Sequence, residues 1–364
     1  MCPLHFHGDG LPRTKPIQSK QSVHFPAGRV IDLPPMNPFN DRAFSSLPCA
    51  RCRFGALLAA ILLTHLALAA DGFRIADVNE KSLGLWEGDK PVLVYNHGVI
   101  ASPPGVPADQ ARSSYVHPIY GLDGEVLTDD FPEDHYHHRG LFWSWPHVQV
   151  GGQHHDLWML KGIRHQFEKW LDRKADKTAA VLGVENGWYV GTNKVMRERI
   201  RLRVYPAAAD SRAMDVDCEW TPVGQPITLT GAEGKSYGGI ALRFAPGTNT
   251  AITISSGLTG KDLPMTNLPW ADLTRHWTSG KTTSGAALFV HPSHPDFPPQ
   301  WLTRHYGLLS VGWPGVKPAT FQPDQPTSCR YRVWIHRGSA TAAQLEQAYE
   351  AFKAPEKAVP ARDK

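Results

Sequence analysis

The stretch from Glu133 to Trp145, EDHYHHRGLFWSW, places three histidines and an arginine close together in the chain. Imidazole titrates near neutral pH, so His138 is a candidate general acid or base. Arg139 offers a rigid fork of donors for a carboxylate or for negative charge that develops in a reaction. Acid–base catalysis by these two residues is therefore the first hypothesis, with His137 as a substrate-binding neighbour.

The same histidines could instead bind a metal ion. In an extended strand His135 and His137 would project to one face, and two imidazoles on one face can act as ligands. A cupin would add a carboxylate shortly afterwards, but Leu141 and Phe142 stand at those positions. A metal site at His135 and His137 with other ligands stays open, as does a structural role in a tight turn. No cofactor is otherwise expected, because phosphate-loop and dinucleotide fingerprints are absent from the sequence.

Three later stretches combine polar side chains with glycine or tryptophan: GKSYGGIALRF (234–244), LTRHWTSG (273–280) and FVHPSHPDFPPQWLTRHYG (289–307). Flat aromatic faces beside polar forks are typical of a sugar-binding cleft. The further catalytic candidates are His276, His291 and His305, and the further substrate-binding candidates are Trp143, Lys235, Tyr237, Arg243, Trp277 and Trp301.

The elements that must position these residues are mainly strands. Apolar and polar residues alternate strictly over 199–204, 214–220 and 329–336, which predicts strands with one buried face. One helix is predicted near 342–353, where Thr341 and Gln344 have the spacing of a capping box. The sequence therefore predicts an all-β fold, a large antiparallel β-sandwich with a C-terminal helix.

The first seventy residues have the pattern of a leader. Arg51 and Arg53 precede an apolar run that ends in Ala67-Leu68-Ala69, as in a cleaved signal peptide. We expect 1–35 to be a non-native or disordered extension, 36–70 to be the signal peptide and 71–364 to be a single sandwich domain. The mature protein would then start at Ala70 or Asp71 and be secreted or periplasmic.

Charge and cysteine content narrow the class of protein. Residues 1–70 hold seven of the 38 Lys and Arg and three of the 34 Asp and Glu, which leaves 31 of each. A neutral mature chain favours neither nucleic acid nor stable membrane association. Only Cys218 and Cys329 follow the leader, either as a disulfide or as two separate buried thiols.

The order of YVHPIYGLDGEVLTDDFPEDHYHHRGLFW, YGGIALRF, HPSHPDFPPQW and YRVWIHRG resembles a bacterial family of secreted proteins of unknown function labelled "methane oxygenase PmoA". The resemblance spans roughly residues 73–353, and the His137-His138-Arg139-Gly140 core is its most specific part. A membrane monooxygenase would need several apolar spans, and none follows Ala70, so the literal label is rejected as a function. At the level of fold, the pattern is similar to galactose-mutarotase-like supersandwiches, which bind sugars on one sheet.

The sequence as a whole predicts a carbohydrate-active protein whose partner is a sugar or a sugar-derived small molecule. An enzyme is favoured, with hydrolase, lyase and epimerase chemistry all open. A non-catalytic carbohydrate-binding protein and a metal-dependent oxidoreductase are the alternatives. The oligomeric state is left open.

Overall fold

A computed structural model describes residues 72–354. The expected extension and signal peptide therefore lie outside the described residues. Within residues 72–354 the strands form three antiparallel sheets, and no helix there is long and apolar enough to cross a membrane. Strands are numbered below in chain order.

The first sheet contains nine of the described strands and carries the histidine-rich segment. Its order is β1 (Phe73–Asn79), β2 (Ser82–Glu87), β3 (Lys90–Asn96), β4 (Tyr115–Ile119), β5 (Leu141–Ser144), β13 (Gly239–Arg243), β20 (Leu308–Gly312), β19 (Gln300–Arg304) and β16 (Pro264–Asn267). The histidine-rich segment is the connection between β4 and β5.

The second sheet also contains nine of the strands in the described range. Its order is β15 (Gly257–Thr259), β14 (Gly247–Ile254), β17 (Trp270–Trp277), β18 (Thr283–Val290), β22 (Thr327–Arg337), β11 (Ser211–Pro222), β10 (Asn193–Val204), β9 (Ala180–Val190) and β8 (Arg164–Ala175). The third sheet has the order β21 (Ala319–Phe321), β12 (Ile227–Thr230), β6 (His147–Val150) and β7 (Gln153–His155), and a 3-10 helix spans Ala108–Gln110.

The helix α1 (Ala342–Lys353) ends the described chain where the sequence predicts it. Thr341 accepts a hydrogen bond from the Gln344 amide, and the Gln344 side chain accepts one from the Thr341 amide. Leu345, Tyr349 and Phe352 are buried against Trp270 and Phe289 of the second sheet. The antiparallel all-β class with a C-terminal helix is thus confirmed.

The two nine-stranded sheets pack face to face because alternate residues of each strand are apolar. Ile200, Leu202 and Val204 enter the shared core, as predicted, while the intervening arginines face outward.

One carboxylate, Glu198, is also buried there. It accepts hydrogen bonds from the indoles of Trp188 and Trp220 at 2.8 and 2.9 Å and from an asparagine amide. The core therefore contains a buried polar network around this carboxylate rather than hydrocarbon alone.

The two cysteines of the described chain are cross-strand neighbours. Cys218 of β11 lies directly opposite Cys329 of β22, and both thiols are free and buried in the core. Burial raises the pKa of the Cys329 thiol to about 12. Both side chains therefore pack as small apolar groups in this structure.

The opposite face of the first sheet carries the candidate site. Its outward residues form a smaller apolar cluster that includes Tyr115, Phe142, Ala241 and Leu308. The β4–β5 connection passes over this cluster with its three histidines. The site therefore lies on a sheet face that is not covered by the second sheet.

Candidate acid–base site

Two successive tight turns arrange the histidines. The His135 amide donates to the Pro132 carbonyl and the His138 amide donates to the His135 carbonyl, each at 2.9 Å. This segment makes local turns rather than the ladder bonds of an extended strand. Residues three apart in such turns share a side, so the His135 and His138 rings stack, with centroids 4.6 Å apart and an interplanar angle of 2°. His137 packs edge-on against His138 at 4.6 Å.

Arg139 fixes the conformation of these turns through hydrogen bonds to main-chain carbonyls. Its guanidinium donates to the carbonyls of Tyr136 and His138 at 2.6 Å, donates to the Gln110 carbonyl and lies 3.2 Å from Asp130. The side chain is fully buried. Its contacts are therefore those of a positioning residue, and its donors face main-chain carbonyls and Asp130 rather than a ligand.

The position after Arg139, which Gly140 occupies, has no room for a side chain. A Cβ atom at this position would lie 2.3 Å from the Val116 carbonyl oxygen of β4. Any side chain would push β5 away from β4 at the point where the two strands meet, since Val116 pairs with Leu141. The glycine thus allows the chain to enter the sheet directly after the histidine turns.

Arg243 reaches the histidines from the end of β13. Its Nη2 donates to Asp134 Oδ1 at 2.6 Å, and its guanidinium lies 4.7 Å from the centre of the Tyr306 ring. Tyr306 stacks on His135 at 5.2 Å, and Asp134 Oδ2 lies 3.0 Å from His135 Nδ1. These contacts join Arg243 to the histidine stack, with the half-exposed Tyr306 and His135 on the solvent side.

An aromatic wall closes the other side of the site. Trp158 lies 5.6 Å from the His138 ring and 6.2 Å from the His137 ring, and Tyr237 packs on it at 4.7 Å. Arg112 fixes this wall, because its Nη2 donates to the carbonyls of Leu157 and Trp158 at 2.6 and 2.8 Å. Tyr237, a substrate-binding candidate from the sequence, therefore lies behind Trp158 on this side of the histidines.

The protein environment keeps two of the histidines neutral. Burial lowers the pKa of His137 to about 3, with further lowering by the positive charge of Arg112 and of neighbouring groups. Burial also lowers the pKa of His138 well below its usual value, and the neighbouring histidines and Arg243 add to this effect. Both imidazoles are therefore neutral at neutral pH, and each has one ring nitrogen that carries no proton.

The carboxylates around the site respond to burial in different ways. Burial raises the pKa of Asp130 to about 6, and Arg139 and the Tyr115 hydroxyl, 2.8 Å away, only partly offset this. Burial alone would also raise the pKa of Asp134, but the contacts with His135 and Arg243 outweigh it and hold the pKa below its usual value. Asp134 is therefore the carboxylate that stays ionised beside the histidines.

The ring geometry bears on the metal hypothesis. Among residues 72–354 no group of three or more His, Cys, Asp or Glu side chains is arranged to hold a metal ion. The pair named for a metal ion, His135 and His137, packs edge-on with ring centroids 5.6 Å apart. Within residues 72–354 this pair has no third His, Cys, Asp or Glu ligand beside it.

The three second-rank histidines are not brought into this cluster. His276 is on the outward face of β17 beside Thr283, and His291 lies 5.3 Å from Phe352 of the C-terminal helix. His305 is adjacent in sequence to Tyr306, but its Nδ1 lies 2.7 Å from Asp262. Each ring is therefore engaged in a different part of the molecule.

The three tryptophans expected at a sugar cleft are in the sandwich core. Trp143, Trp277 and Trp301 are 1%, 0% and 0% exposed, so they cannot stack on a ligand. The physical reason is strand alternation: each of them occupies an inward position between two outward neighbours. Lys235 is exposed in the turn before Tyr237, outside the histidine cluster's contacts.

The site residues that the sequence did not single out are Arg112, Trp158 and Tyr306. Trp158 and Tyr306 lie in turns, and Arg112 is in a loop before β4. The only sequence signal was the glycine after Tyr306, which has a positive φ of 122° and marks a tight hairpin between β19 and β20. Nothing in the local pattern around Arg112 or Trp158 distinguishes them from ordinary loop residues.

Comparison with solved structures finds distant similarity. Heparan sulfate lyase HepC from Pedobacter heparinus matches with a TM-score of 0.36 and 8% identity, over 76% of this chain and 37% of the lyase. A galactose mutarotase related enzyme from Lactobacillus acidophilus matches with a TM-score of 0.36 and 7% identity, over 74% of this chain and 98% of the enzyme. A putative mutarotase from Salmonella typhimurium gives a TM-score of 0.33 and 10% identity, over 73% and 90%. Similarity at this level does not indicate an activity.

Sequence comparisons give a family without an activity. No curated protein matches the chain. The label "methane oxygenase PmoA" is not confirmed by any of these comparisons. Residues 83–350 match the model of a family described as "Family of unknown function (DUF6807)". Because that match covers well over half of the sequence, the chain belongs to the DUF6807 family.

Proposed function

We propose that this protein is a carbohydrate-active enzyme that uses His137 and His138 for proton transfer on a sugar or sugar derivative. The observation that carries the proposal is a pair of imidazoles in edge contact, kept neutral by burial and by nearby guanidinium charge. The aromatic side chains of Tyr306 and Tyr237 beside them are not fully buried, and they suit the apolar faces of a sugar ring.

The proposed step is a proton transfer. A proton passes from a C–H or O–H group of the substrate to an imidazole nitrogen, and the electron pair remains on the substrate. Arg243 can stabilise the resulting negative charge, because its Nε and Nη1 have no hydrogen-bond partner among residues 72–354. Proton abstraction of this kind begins an elimination or an epimerisation, which favours lyase or epimerase chemistry over hydrolysis.

The non-catalytic alternative draws less support from the geometry. A binding module would present a flat aromatic platform, whereas Trp143, Trp277 and Trp301 are buried. The metal-dependent alternative lacks a ligand set among the described residues. Titratable groups meet at one place instead, which is the arrangement that an acid–base enzyme needs.

The test is a screen of oligosaccharides and oxidised sugars with analysis of the products. We expect His137→Gln and His138→Gln to lower turnover by about a hundredfold or more, the usual contribution of a positioned acid or base. His291→Gln is the matched control, since His291 packs near Phe352 and should leave turnover unchanged. Full turnover in both site variants would refute the proposal.

A second experiment concerns the location. We propose that the protein is exported, on the basis of the leader pattern in the sequence. N-terminal sequencing of exported protein should find a start at Ala70 or Asp71. Recovery of the protein with its leader intact in the membrane fraction would contradict this.

A further inference from the structure

Most of the tryptophans are enclosed in the fold, but Trp334 lines an open groove. All twelve tryptophans lie within residues 72–354 and nine of them are buried, whereas Trp86, Trp170 and Trp334 are half-exposed. Trp334 lies on the outward face of β22, because its neighbours Val333 and Ile335 point into the core. It lines a groove of about 370 Å³ between the second sheet and α1. This volume is at the small end of the range for ligand sites, which is about 300–1,000 Å³.

The Trp334 ring lies in the layer between the second sheet and the helix. Its ring centroid is 6.4 Å from that of Phe289 and 5.2 Å from that of His336, at interplanar angles of 20° and 29°. Phe289 in turn packs against Tyr349 of α1, with ring centroids 5.6 Å apart. Phe289 and His336 are buried, whereas Trp334 is not. The solvent-exposed part of this row of rings is therefore at Trp334, beside the groove.

The flank of α1 that faces the groove carries no charge. Its lining residues have the i, i+3, i+4, i+7 spacing of one helix face: Gln344, Gln347, Ala348 and Ala351. The charged residues of α1 are Glu346, Glu350 and Lys353, and none of them lines the groove. The alanines leave room for a ligand, and the glutamine amides can both donate and accept hydrogen bonds. This flank therefore suits a ligand that is polar but uncharged.

Several neutral polar groups of the groove have no partner within the protein. The Gln344 side-chain oxygen accepts from the Thr341 amide at 2.9 Å, which fixes the orientation of the side-chain amide. The Gln344 amide nitrogen has no acceptor among residues 72–354. The side chains of Gln347, Ser211 and Ser339 also line the groove and have no hydrogen bond within that range. Amide and hydroxyl groups are therefore available on both sides of the groove.

The charged groups that line the groove already interact within the protein. Arg337 Nη2 lies 2.9 Å from Asp123 Oδ1, and His336 Nε2 lies 3.0 Å from Asp272 Oδ1. The hydrogen bond with Asp123 raises the pKa of Arg337, and the negative charge of Asp210, the remaining charged lining residue, adds to this effect. An ionic ligand would have to compete with these interactions, whereas a neutral one would not.

We propose that this groove is a second, non-catalytic site that binds a neutral sugar, with Trp334 as the surface on which one sugar ring packs. The face of an indole suits the C–H groups of a sugar ring. Sugar hydroxyls both donate and accept hydrogen bonds, as do amide side chains and serine hydroxyls together. The groove lies on the outer face of the second sheet and the histidines lie on the outer face of the first. The inference therefore goes beyond the proposed function and does not depend on it.

The test is a titration of the intact, nitrogen-15-labelled protein with lactose, cellobiose and xylobiose, followed by NMR. The indole N–H signal of Trp334 is the one that Trp334→Phe lacks. We expect at least one of these sugars to shift this signal, with a Kd in the millimolar range. D-Galacturonate should bind no more tightly than lactose, because the cations of the groove are already paired.

The decisive variant fills the groove from the helix and leaves Trp334 in place. Ala351→Phe should weaken the binding of the sugar about tenfold or more, because the phenyl ring occupies the space beside Trp334. Ala343→Phe is the matched control, since it adds the same side chain to α1 outside the groove and should leave the affinity unchanged. Both alanines are exposed, so neither substitution should prevent folding.

The outcomes separate this inference from the proposed function. The inference is overturned if none of the three sugars shifts the Trp334 signal, if D-galacturonate binds more tightly than lactose, or if Ala351→Phe and Ala343→Phe bind the sugar equally well. A sugar that shifts the indole signal of Trp158, beside the histidines, and not that of Trp334 also overturns it. If Trp334 responds while His137→Gln and His138→Gln retain full turnover, the proposed function fails and the inference stands.

Discussion

A His137→Gln variant tests whether this residue is neutral in the folded protein, which its proposed role requires. The unfolded chain binds a proton at this position below its ordinary pKa of 6.5, whereas the folded protein binds one only near its lowered pKa of about 3. The stability that depends on neutral His137 is therefore complete above pH 6.5 and falls as the pH decreases toward 3. Proton linkage gives a loss of about 2 kcal/mol between pH 7 and pH 5 from this residue alone.

The assay is urea denaturation of the unmodified protein and the variant at pH 7 and pH 5. We expect the difference in unfolding free energy between the two pH values to be about 2 kcal/mol smaller in His137→Gln, because glutamine does not titrate. His294→Gln provides a comparison, since burial lowers the pKa of His294 to about 4 beside Trp313. If His294→Gln reduces the pH dependence and His137→Gln does not, His137 is charged in the fold and our account of the site is refuted.

Three further changes test the packing that supports the site, each by urea denaturation. Glu198→Ala should lower the unfolding free energy by about 3–5 kcal/mol, because it leaves buried donors without an acceptor. Glu219→Ala, on the outward face, should lower it by less than about 1 kcal/mol. Similar losses in the two variants would contradict the buried network. Trp143→Phe should lower the unfolding free energy by about 1–3 kcal/mol less than Trp301→Phe does. The reason is that the Trp143 indole N–H has no hydrogen-bond partner among residues 72–354, whereas that of Trp301 donates to a carbonyl at 2.8 Å. The reverse order would be inconsistent with these contacts. Thr341→Ala should cost about 1 kcal/mol through loss of the capping box, and no change would argue against that cap.

The all-β class could be predicted because its signals are local. The alternation at 199–204 determines which side chains enter the core, since successive residues of a strand face opposite sides. The capping box at Thr341 fixes the start of the helix by two hydrogen bonds within four residues. The same locality made the segment around His138 a recognisable candidate, because the histidines are neighbours in the chain.

The composition of the site depended on contacts that the sequence does not encode locally. Trp143 resembles a ligand platform by its neighbours, but the register of β5 turns it into the core. Arg112 and Tyr306 come from distant loops, and they reach the histidines only because β4, β5, β13 and β20 lie side by side in the first sheet. The sequence by itself determined the strands, the helix and the histidine cluster, whereas the tertiary structure decided which charges surround that cluster. The reason is physical: alternation and capping act over a few residues, but burial and electrostatic neighbours are set by which strands pair.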